Sequence, residues 1–570
     1  MLLAVSGGFR VTVGGLRLSA RSPLPAALAA LAALASWYFF ARRSNSVSPD
    51  LDAAWRLLDR RSPAITVSIA IASGAVAALF ATFAAAGADA SGYVSEAKLF
   101  TEGRLVYLDT LASIVGGWQT GLTSPLGWRP GALEGLQSPT YPPGLPLLMA
   151  IPHWAGGAVA AGWVVAVSAA IAVWSTGMIA RRLAGGVAAI VGALVLAVLP
   201  VFIFQSVQPM SDVPVTAAWM VCWLLVVSRG DKPSGGDKPS GGDKPLGLSF
   251  AAGVASAIAV LIRPNLAPLA IVPLVLVSTR VRHAIAFAVP VALAGLALLW
   301  LQWRWYGSPL RSGYGAVDEL FAFANIRPNA QFYWRTLVAT APILVLAPIG
   351  AWLTRRDRRA WALATFAAFV VAAYLVYAVF DDWSYVRFLL PALAIGSLFI
   401  GVVVARMVAG LPASARAAVT LAVGLAIAAA GLANARVLDA FALKDQHRRI
   451  VQLGRHLGAS IPADAVIVSG EQSGSMRYYT SRPIVRWDAA SPEDLLRALG
   501  ALQTAKRPVW FVLDAWELEP FRAKFASVPQ AALDWPPAVS AGTTHRTSAW
   551  QLSDRERFMR GENVVTERLP

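Results

Sequence analysis

The chain has 570 residues, of which 56% are apolar and only 14% are charged. Soluble globular proteins are about 45–50% apolar and about 25% charged, so this composition excludes a water-soluble enzyme, a disordered chain and a small disulfide scaffold. The 49 basic and 32 acidic residues leave a net charge of +17, which we assign to cytoplasmic loops of a helical membrane protein rather than to nucleic-acid binding. The single cysteine, Cys222, excludes an internal disulfide and a thiolate metal cluster.

Apolar segments of membrane-spanning length follow one another along the chain. A span needs about 20 apolar residues, and this criterion predicts a mostly α, polytopic membrane helix bundle of about 11–12 transmembrane segments. Basic clusters at 60–61, 181–182 and 355–359 fall on one side of this bundle, which the positive-inside rule makes the cytoplasm. The predicted segments are 24–41, 65–87, 158–180, 184–205, 213–228, 248–262, 265–279, 283–301, 334–354, 361–380, 388–407 and 414–434.

The segment 24–41 and the pair 248–262 and 265–279 depart from the simple pattern. Arginines flank segment 24–41 on both sides, so its orientation stays open, and we interpret it as an uncleaved anchor rather than a signal peptide. The pair is short and is interrupted at Arg263-Pro264-Asn265. Short broken helices at membrane depth usually line a cavity. A GDKPSG repeat over 230–247 is a flexible linker, to which we assign no function.

Long polar stretches divide the chain into three parts. Residues 1–64 form an N-terminal extension with one apolar anchor, and residues 65–434 form the membrane domain. A long first extracytoplasmic loop occupies residues 88–157 of that domain. Residues 435–570 form a small domain on the same extracytoplasmic side, because alternation of the spans brings both to the face opposite the basic clusters.

The C-terminal part carries the sequence pattern of an α/β domain. Strand-like runs at 465–469 and 509–513 flank a helix-like stretch at 491–504. Ser491 stands in the position of an N-cap, with Pro at the first helical position and an acidic residue three positions later. The order strand, helix, strand predicts parallel pairing of the two strands.

The loop 88–157 opens with an acidic residue next to the end of a predicted span. Asp89 is followed by Tyr93 and Ala97 at helical spacing, and Gly103 suits the end of a helix. Asp89 has two interpretations: a helix N-cap, or a catalytic carboxylate at the lipid–water boundary, where desolvation suits a general base.

A second motif in the same loop is Tyr141-Pro142-Pro143-Gly144. Paired prolines set a turn and then begin a helix, because their fixed φ suits the first helical turn. The apolar helix expected over 143–154 is too short to span a bilayer, so we predict that it lies along the membrane interface, under the first helix of the loop.

Ionisable residues also gather at the predicted extracytoplasmic ends of the spans. Each is either a residue that snorkels to the interface or a functional group. An acidic base, an acidic partner and arginines for a phosphate suit transfer from a lipid phosphate. The residues are Asp212, Arg263, Asp381, Asp382 and Arg387.

In this order, the motifs resemble the lipid-linked-sugar glycosyltransferases of the C-type membrane fold. The similarity is to the branch that contains protein O-mannosyltransferases, aminoarabinose transferases of lipid A and bacterial core-sugar transferases. It covers roughly residues 65–400. The matching motifs are Asp89 with Tyr93, Ala97 and Gly103; Tyr141 to Gly144; Ala180 to Leu183; Gln208 to Asp212; Leu261 to Asn265; Trp305 to Pro309; and Arg387 to Pro391.

The resemblance implies an inverting monosaccharide transfer, hexosyl or pentosyl, from a polyprenyl-phosphate donor to an acceptor hydroxyl. It implies Asp89 as the general base and Asp212 as the residue that orients the acceptor, Asp89 or a metal. It assigns substrate binding to two phosphate clamps, Arg263 and Arg387, and to four residues of the outer loop. Those four are Tyr93, Glu96, Tyr141 and Pro143.

The chain departs from the family pattern after Asp89. The family often has two adjacent acids there, whereas Ala90 follows Asp89 and the next acid is Glu96. This departure argues against a two-acid metal site. We therefore assign no metal ligand, and a divalent cation stays open as a cofactor.

The resemblance implies a multi-pass protein of the bacterial cytoplasmic (inner) membrane with an extracytoplasmic C-terminal domain. The expected partners are the polyprenyl-phosphate sugar and a lipid, glycan or protein acceptor, with no nucleic acid. Two other functions stay open: a transporter or flippase of a lipid-linked glycan, and a structural subunit without activity. The sequence identifies neither the sugar, the lipid length nor the acceptor.

Overall fold

A computed structural model describes residues 9–13, 16–20, 48–228, 246–278, 280–315, 320–543 and 545–569. The predicted anchor 24–41 and most of the repeat 230–247 lie outside the described residues. Near the N-terminus, β1 (Phe9–Val13) and β2 (Leu16–Ala20) form an antiparallel pair.

Helices make up most of the membrane domain. Within the described residues, six helices are long and apolar enough to cross a membrane, two bent pairs pass the same test as pairs, and three apolar helices are shorter. The predicted polytopic helix bundle is confirmed. In chain order the helices are α1 (Ser48–Phe80), α2 (Ala88–Thr101), α3 (Ala112–Val115), α4 (Gly144–Ala184), α5 (Gly186–Ala197), α6 (Pro200–Ser206), α7 (Asp212–Ser228), α8 (Leu246–Ile262), α9 (Ile271–Val277), α10 (Val281–Tyr306), α11 (Ile326–Thr340), α12 (Ala347–Leu353), α13 (Arg358–Leu375), α14 (Leu390–Ala409) and α15 (Ala413–Val437).

The predicted span 65–87 ends early, because α1 stops at Phe80. The alanines that follow pack against the C-terminal domain: Ala84 and Ala86 share a core with Ile450 and Leu453. Their apolar character therefore reflects burial under a second domain rather than contact with lipid. Gly87, with φ of +79°, then turns the chain into α2.

Two breaks in the helices shape the region around the first loop. The short helix expected over 143–154 is present as the first part of α4, which is bent from the rest at Gly156 and Gly157, both outside helical φ and ψ. The interruption expected between 262 and 265 lies at Arg263, where α8 ends and a 3-10 turn (Pro264–Ala270) leads into α9.

Glycines allow the helices that carry the site to approach closely. A Cβ on Gly144, at the start of α4, would lie 2.3 Å from the backbone nitrogen of Ile262 at the end of α8. A Cβ on Gly401, in α14, would lie 2.3 Å from the carbonyl oxygen of Ala188 in α5. The span that contains α14 is central, since 94% of its most apolar 18-residue stretch is buried.

The first loop adds a small sheet to the side of the membrane domain that carries the C-terminal domain. Its three antiparallel strands are β3 (Tyr107–Leu108), β4 (Trp128–Pro130) and β5 (Leu136–Pro139). The middle strand is β5, which ends two residues before Tyr141.

The C-terminal domain is the predicted α/β unit. In chain order its elements are α16 (Leu443–Ser460), β6 (Val466–Ser469), α17 (Ser473–Thr480), β7 (Ile484–Arg486), α18 (Pro492–Thr504), β8 (Val509–Asp514), α19 (Leu518–Lys524), β9 (Val539–Ala541), β10 (Thr547–Gln551), α20 (Leu552–Met559) and β11 (Glu567–Leu569). The six strands are ordered β11-β9-β10-β8-β6-β7, with β6 parallel to both β7 and β8 and with β10 antiparallel to β8. Ser491 and Asp494 form the capping box of α18, as predicted.

The buried Glu517, which follows β8, makes the stability of this domain depend on pH. Burial raises its pKa from 4.5 to about 7. Between those values the folded chain binds more protons than the unfolded chain, so the free energy of unfolding falls as the pH rises through this window. In detergent, the unfolding temperature should therefore fall from pH 5 to pH 7.5, and less steeply in Glu517→Gln. The exposed Glu519→Gln is the control, and equal slopes in all three proteins would contradict this account.

Candidate active site

A cavity of about 480 Å³ lies where the first loop meets the ends of several membrane helices. Its wall combines the start of α2, the segment before α4, the break after α8 and the approach to α14. Elements far apart in the chain therefore contribute to one site. Its polar lining includes Asp89, Tyr93, Tyr141, Arg263, Tyr374 and Arg387.

Asp89 lies in the first turn of α2, with its side chain 35% exposed. Its carboxylate accepts a hydrogen bond from the Tyr141 hydroxyl at 2.8 Å and one from Arg387 Nη2 at 2.9 Å. The cap position of α2 is Gly87, so the interpretation of Asp89 as an N-cap is wrong. The carboxylate instead belongs to the wall of the cavity, held in place by a phenol and a guanidinium group.

Tyr141 is held by close packing around its ring. A Cβ on Gly92 would lie only 2.2 Å from this ring, and the Tyr93 ring centroid is 4.6 Å away. Burial, followed by the charge of Asp89, raises the pKa of Tyr141 well above its ordinary value. Tyr141 therefore stays protonated and serves as a hydrogen-bond donor to Asp89.

A second carboxylate–guanidinium pair lies deeper. Asp212, in the first turn of α7, is fully buried and forms an ion pair with Arg263, which is only 9% exposed. Arg263 Nη1 also donates to the Tyr374 hydroxyl at 3.0 Å. Asp212 is absent from the cavity wall, so its contact with the cavity runs through Arg263.

The two arginines share an aromatic neighbour. The guanidinium carbons of Arg263 and Arg387 each lie 5.3 Å from the ring centroid of Phe388. Among the protein groups that the structure describes, Arg387 Nε has no hydrogen-bond partner although it is buried. Planar guanidinium groups with unused donors favour binding of a phosphate.

Glu96 and Pro143, which the resemblance assigns to substrate binding, do not line this cavity. Glu96 is seven residues beyond Asp89, and at 1.5 Å per residue this places it about 10 Å further along α2. It is fully buried, neither carboxylate oxygen has a hydrogen-bond partner among the described residues, and burial raises its pKa. Pro143 is the cap residue of α4, while its neighbour Pro142 reaches the cavity.

The sequence analysis assigns no site role to Tyr374, Ser211 or Asn265, although Ser211 and Asn265 stand in motifs that carry the resemblance. Asn265 Nδ2 and Arg263 both donate to the Tyr374 hydroxyl, each at 3.0 Å, and Tyr93 donates to Ser211 Oγ at 3.0 Å. For Tyr374 the sequence offers one signal, a phenol near the end of an apolar span, and this signal also describes an interfacial aromatic belt.

The side chains of this site do not provide the oxygen ligands that a divalent cation needs. Magnesium and calcium require several oxygen ligands, whereas both oxygens of Asp89 are engaged by Tyr141 and Arg387. Within the described ranges, His, Cys, Asp and Glu form no group of three or more that could hold a metal ion. We therefore derive no step through a metal.

Removal of Asp212 should destabilise the membrane domain, since it leaves Arg263 buried without its carboxylate. Breaking a buried ion pair from one side costs about 3–5 kcal/mol. In detergent, Asp212→Ala should lower the unfolding temperature, and Asp212→Asn should lower it less because the amide still accepts a hydrogen bond. Glu519→Ala breaks the exposed pair with Arg522 and should leave stability unchanged. If Asp212→Ala and Glu519→Ala lower the unfolding temperature equally, the claim that the buried pair stabilises the membrane domain is contradicted.

Comparison with known proteins finds similarity in structure. No family model and no curated protein sequence matches the chain. ArnT from Cupriavidus metallidurans bound to undecaprenyl phosphate aligns with a TM-score of 0.52 at 13% identity, covering 85% of this chain and 97% of ArnT. The oligosaccharyltransferase AglB from Archaeoglobus fulgidus, in complex with an inhibitory peptide and a dolichol-phosphate, aligns with a TM-score of 0.52 at 12% identity, covering 79% and 69%. The chain therefore has the C-type fold of membrane glycosyltransferases.

Proposed function

We propose that this protein transfers a monosaccharide, hexosyl or pentosyl, from a polyprenyl-phosphate donor to an acceptor hydroxyl, with inversion of configuration. The observation that carries the proposal is a partly exposed carboxylate, Asp89, in the same cavity as two guanidinium groups, Arg263 and Arg387. A base and a phosphate-binding pair within one cavity are the groups that such a transfer needs.

The cationic groups support a phosphate-linked donor. The Nε donor of Arg387 is buried and has no hydrogen-bond partner among the described residues. Arg263 is oriented by its contacts with Asp212 and Tyr374. The ligands named with the similar structures, undecaprenyl phosphate in ArnT and dolichol-phosphate in AglB, support the same class of donor. We assign binding of the donor phosphate to Arg263 and Arg387.

In the proposed reaction, an acceptor hydroxyl attacks the anomeric carbon while Asp89 accepts the hydroxyl proton. A new carbon–oxygen bond forms to the acceptor, and the bond between the anomeric carbon and the phosphate oxygen breaks. The lipid phosphate leaves with that electron pair from the face opposite the acceptor, so the configuration inverts. Tyr141 and Arg387 orient Asp89, and the arginines stabilise the negative charge of the departing phosphate.

The proposed location is the bacterial cytoplasmic (inner) membrane, with the cavity and the C-terminal domain outside the cytoplasm. The basic block 355–359 supports this orientation. It precedes and begins α13, and Tyr374 near the other end of α13 lines the cavity. An 18-residue helix is about 27 Å long, close to the thickness of the hydrocarbon core. The acceptor is a lipid, glycan or protein hydroxyl.

Replacement of Asp89 by Asn tests the role of this carboxylate as the base. Loss of a general base should lower kcat about 100- to 10,000-fold. We would measure transfer of radiolabelled sugar from a panel of polyprenyl-phosphate sugars, alongside binding of the donor. Asp89→Asn should still bind donor, and Glu519→Gln should transfer at the wild-type rate.

The outcomes of this experiment separate the candidate functions. Equal transfer by wild type and Asp89→Asn would contradict the assignment of the base. A wild-type protein that transfers no sugar but moves labelled lipid between the leaflets of a vesicle would be a transporter or flippase. An absence of both activities across the panel would indicate a structural subunit.

A further inference from the structure

The C-terminal end of α13 forms part of the cavity wall and is held in place by α11. The last carbonyl groups of a helix have no N–H partner within the helix, and inside a membrane protein other protein groups must satisfy them. At α13 these groups include the carbonyls of Tyr374 and Leu375, and the chain continues to Tyr377. Tyr374 and Tyr377 both line the cavity. The partners of these carbonyls therefore fix the position of the wall.

Asn329, in the first turn of α11, is the main partner. Its Nδ2 lies 3.3 Å from the carbonyl oxygen of Tyr374, 3.1 Å from that of Leu375 and 2.6 Å from that of Tyr377. An atom that faces three acceptors is the amide nitrogen, whose two hydrogens are shared among them. Asn329 is only 1% exposed, so it is shielded from the water that could replace these bonds.

Two neighbouring groups reinforce the same contact. Tyr333, one turn later on α11, donates from its hydroxyl to the carbonyl oxygen of Tyr374 at 3.3 Å. The backbone N–H of Ala322, which precedes α11, donates to the carbonyl oxygen of Val376 at 2.8 Å. Asn329 lies between these two contacts along the chain, and its amide bonds carbonyls on both sides of Val376.

Tyr374 connects this helix end to the proposed phosphate site. Its hydroxyl accepts hydrogen bonds from Arg263 Nη1 and from Asn265 Nδ2, each at 3.0 Å. Its ring stacks on Phe388, with centroids 5.2 Å apart and planes 8° apart, and Arg263 contacts the same ring. The backbone of Tyr374 is therefore held by Asn329, while its side chain holds Arg263.

We propose that Asn329 is a positioning residue for Tyr374 and, through Tyr374, for Arg263. Asn329 is absent from the cavity wall, so it acts only through the residues that it holds. Its amide fixes the end of α13, and the Tyr374 hydroxyl then sets the direction of the guanidinium group. The role in donor binding rests on the proposed function, which assigns the donor phosphate to Arg263. Affinity for a lipid phosphate is therefore the property that Asn329 controls.

The test measures binding of undecaprenyl phosphate to the purified full-length protein in detergent. Asn329→Leu keeps the approximate size of the side chain but removes the donor, and it should raise the Kd about 10-fold, as expected for a disturbed hydrogen bond to a charged group. Tyr374→Phe removes the hydroxyl that orients Arg263 and should raise the Kd to a similar extent. Because both changes act on one group, the double variant should also lose about 10-fold, whereas independent sites would multiply to about 100-fold.

Asn434, in α15, is the matched control. Its Nδ2 donates to the carbonyl oxygens of Ala339 at 3.3 Å and Thr340 at 2.7 Å, at the other end of α11. The same chemistry thus holds a helix end there, but Thr340 is eleven residues beyond Asn329, or about 16 Å along α11. Asn434→Leu should lower the unfolding temperature, as Asn329→Leu does, and should leave the Kd unchanged.

A second measurement does not depend on the lipid. Hydrogen–deuterium exchange over residues 374–378 should accelerate in Asn329→Leu and stay at the wild-type rate in Asn434→Leu. If the wild type binds no undecaprenyl phosphate, the proposed function fails, whereas the exchange rates still decide whether Asn329 holds the end of α13.

Four results would overturn the proposal. These are a wild-type Kd in Asn329→Leu, an equal rise of the Kd in Asn434→Leu, a fully multiplicative loss in the double variant, and unchanged exchange over residues 374–378 in Asn329→Leu. If Asn329→Leu does not fold, Asn329→Ser takes its place, because a hydroxyl has one hydrogen where the amide has two. It should raise the Kd about threefold, and a wild-type Kd would again overturn the proposal.

Discussion

The burial of two guanidinium groups beside one aromatic ring is the constraint on which the cavity depends. Arg263 and Arg387 cannot deprotonate, so each must be matched by an anion when it leaves bulk water. Asp212 is the partner of Arg263, and Asp89 is the partner of Arg387. Because these partners come from helices far apart in the chain, their pairing brings α2, α7, the end of α8 and the approach to α14 to one place.

The two ion pairs differ in exposure, and this difference assigns them different tasks. Asp212 is fully buried, whereas the Asp89 side chain is 35% exposed. Asp212 holds Arg263 in place from behind the cavity wall, whereas Asp89 itself lines the cavity and is open to a ligand. Arg387 contacts Asp89 through one nitrogen and keeps Nε unused among the described protein groups. The same side chain can therefore hold the proposed base, Asp89, and still donate to an incoming phosphate.

Much of the fold could be predicted because long apolar runs and alternating strands are local patterns. Asp89, Arg263 and Arg387 could also be found, since charges at the ends of spans stand out against an apolar background. Their pairing could not, because Asp89 and Arg387 are separated by 298 residues. Spacing along α2 could not show that Glu96 lies outside the cavity wall, about 10 Å further along the helix than Asp89. The sequence predicts residues 81–87 as part of a span, because apolar character alone does not reveal whether lipid or protein covers them.

The contact between Tyr479 and Ala85 also constrains the order in which the protein is made. The two residues are 394 positions apart, so a ribosome produces the acceptor long after it has produced the donor. The membrane helices are released into the bilayer before the C-terminal domain, whose α17 carries Tyr479, exists. The segment before α2 therefore acquires this partner only after translation of the C-terminal domain, and a nascent chain that stalls earlier holds the segment without it. This contact, three residues before the helix that carries Asp89, thus forms only when the last domain folds.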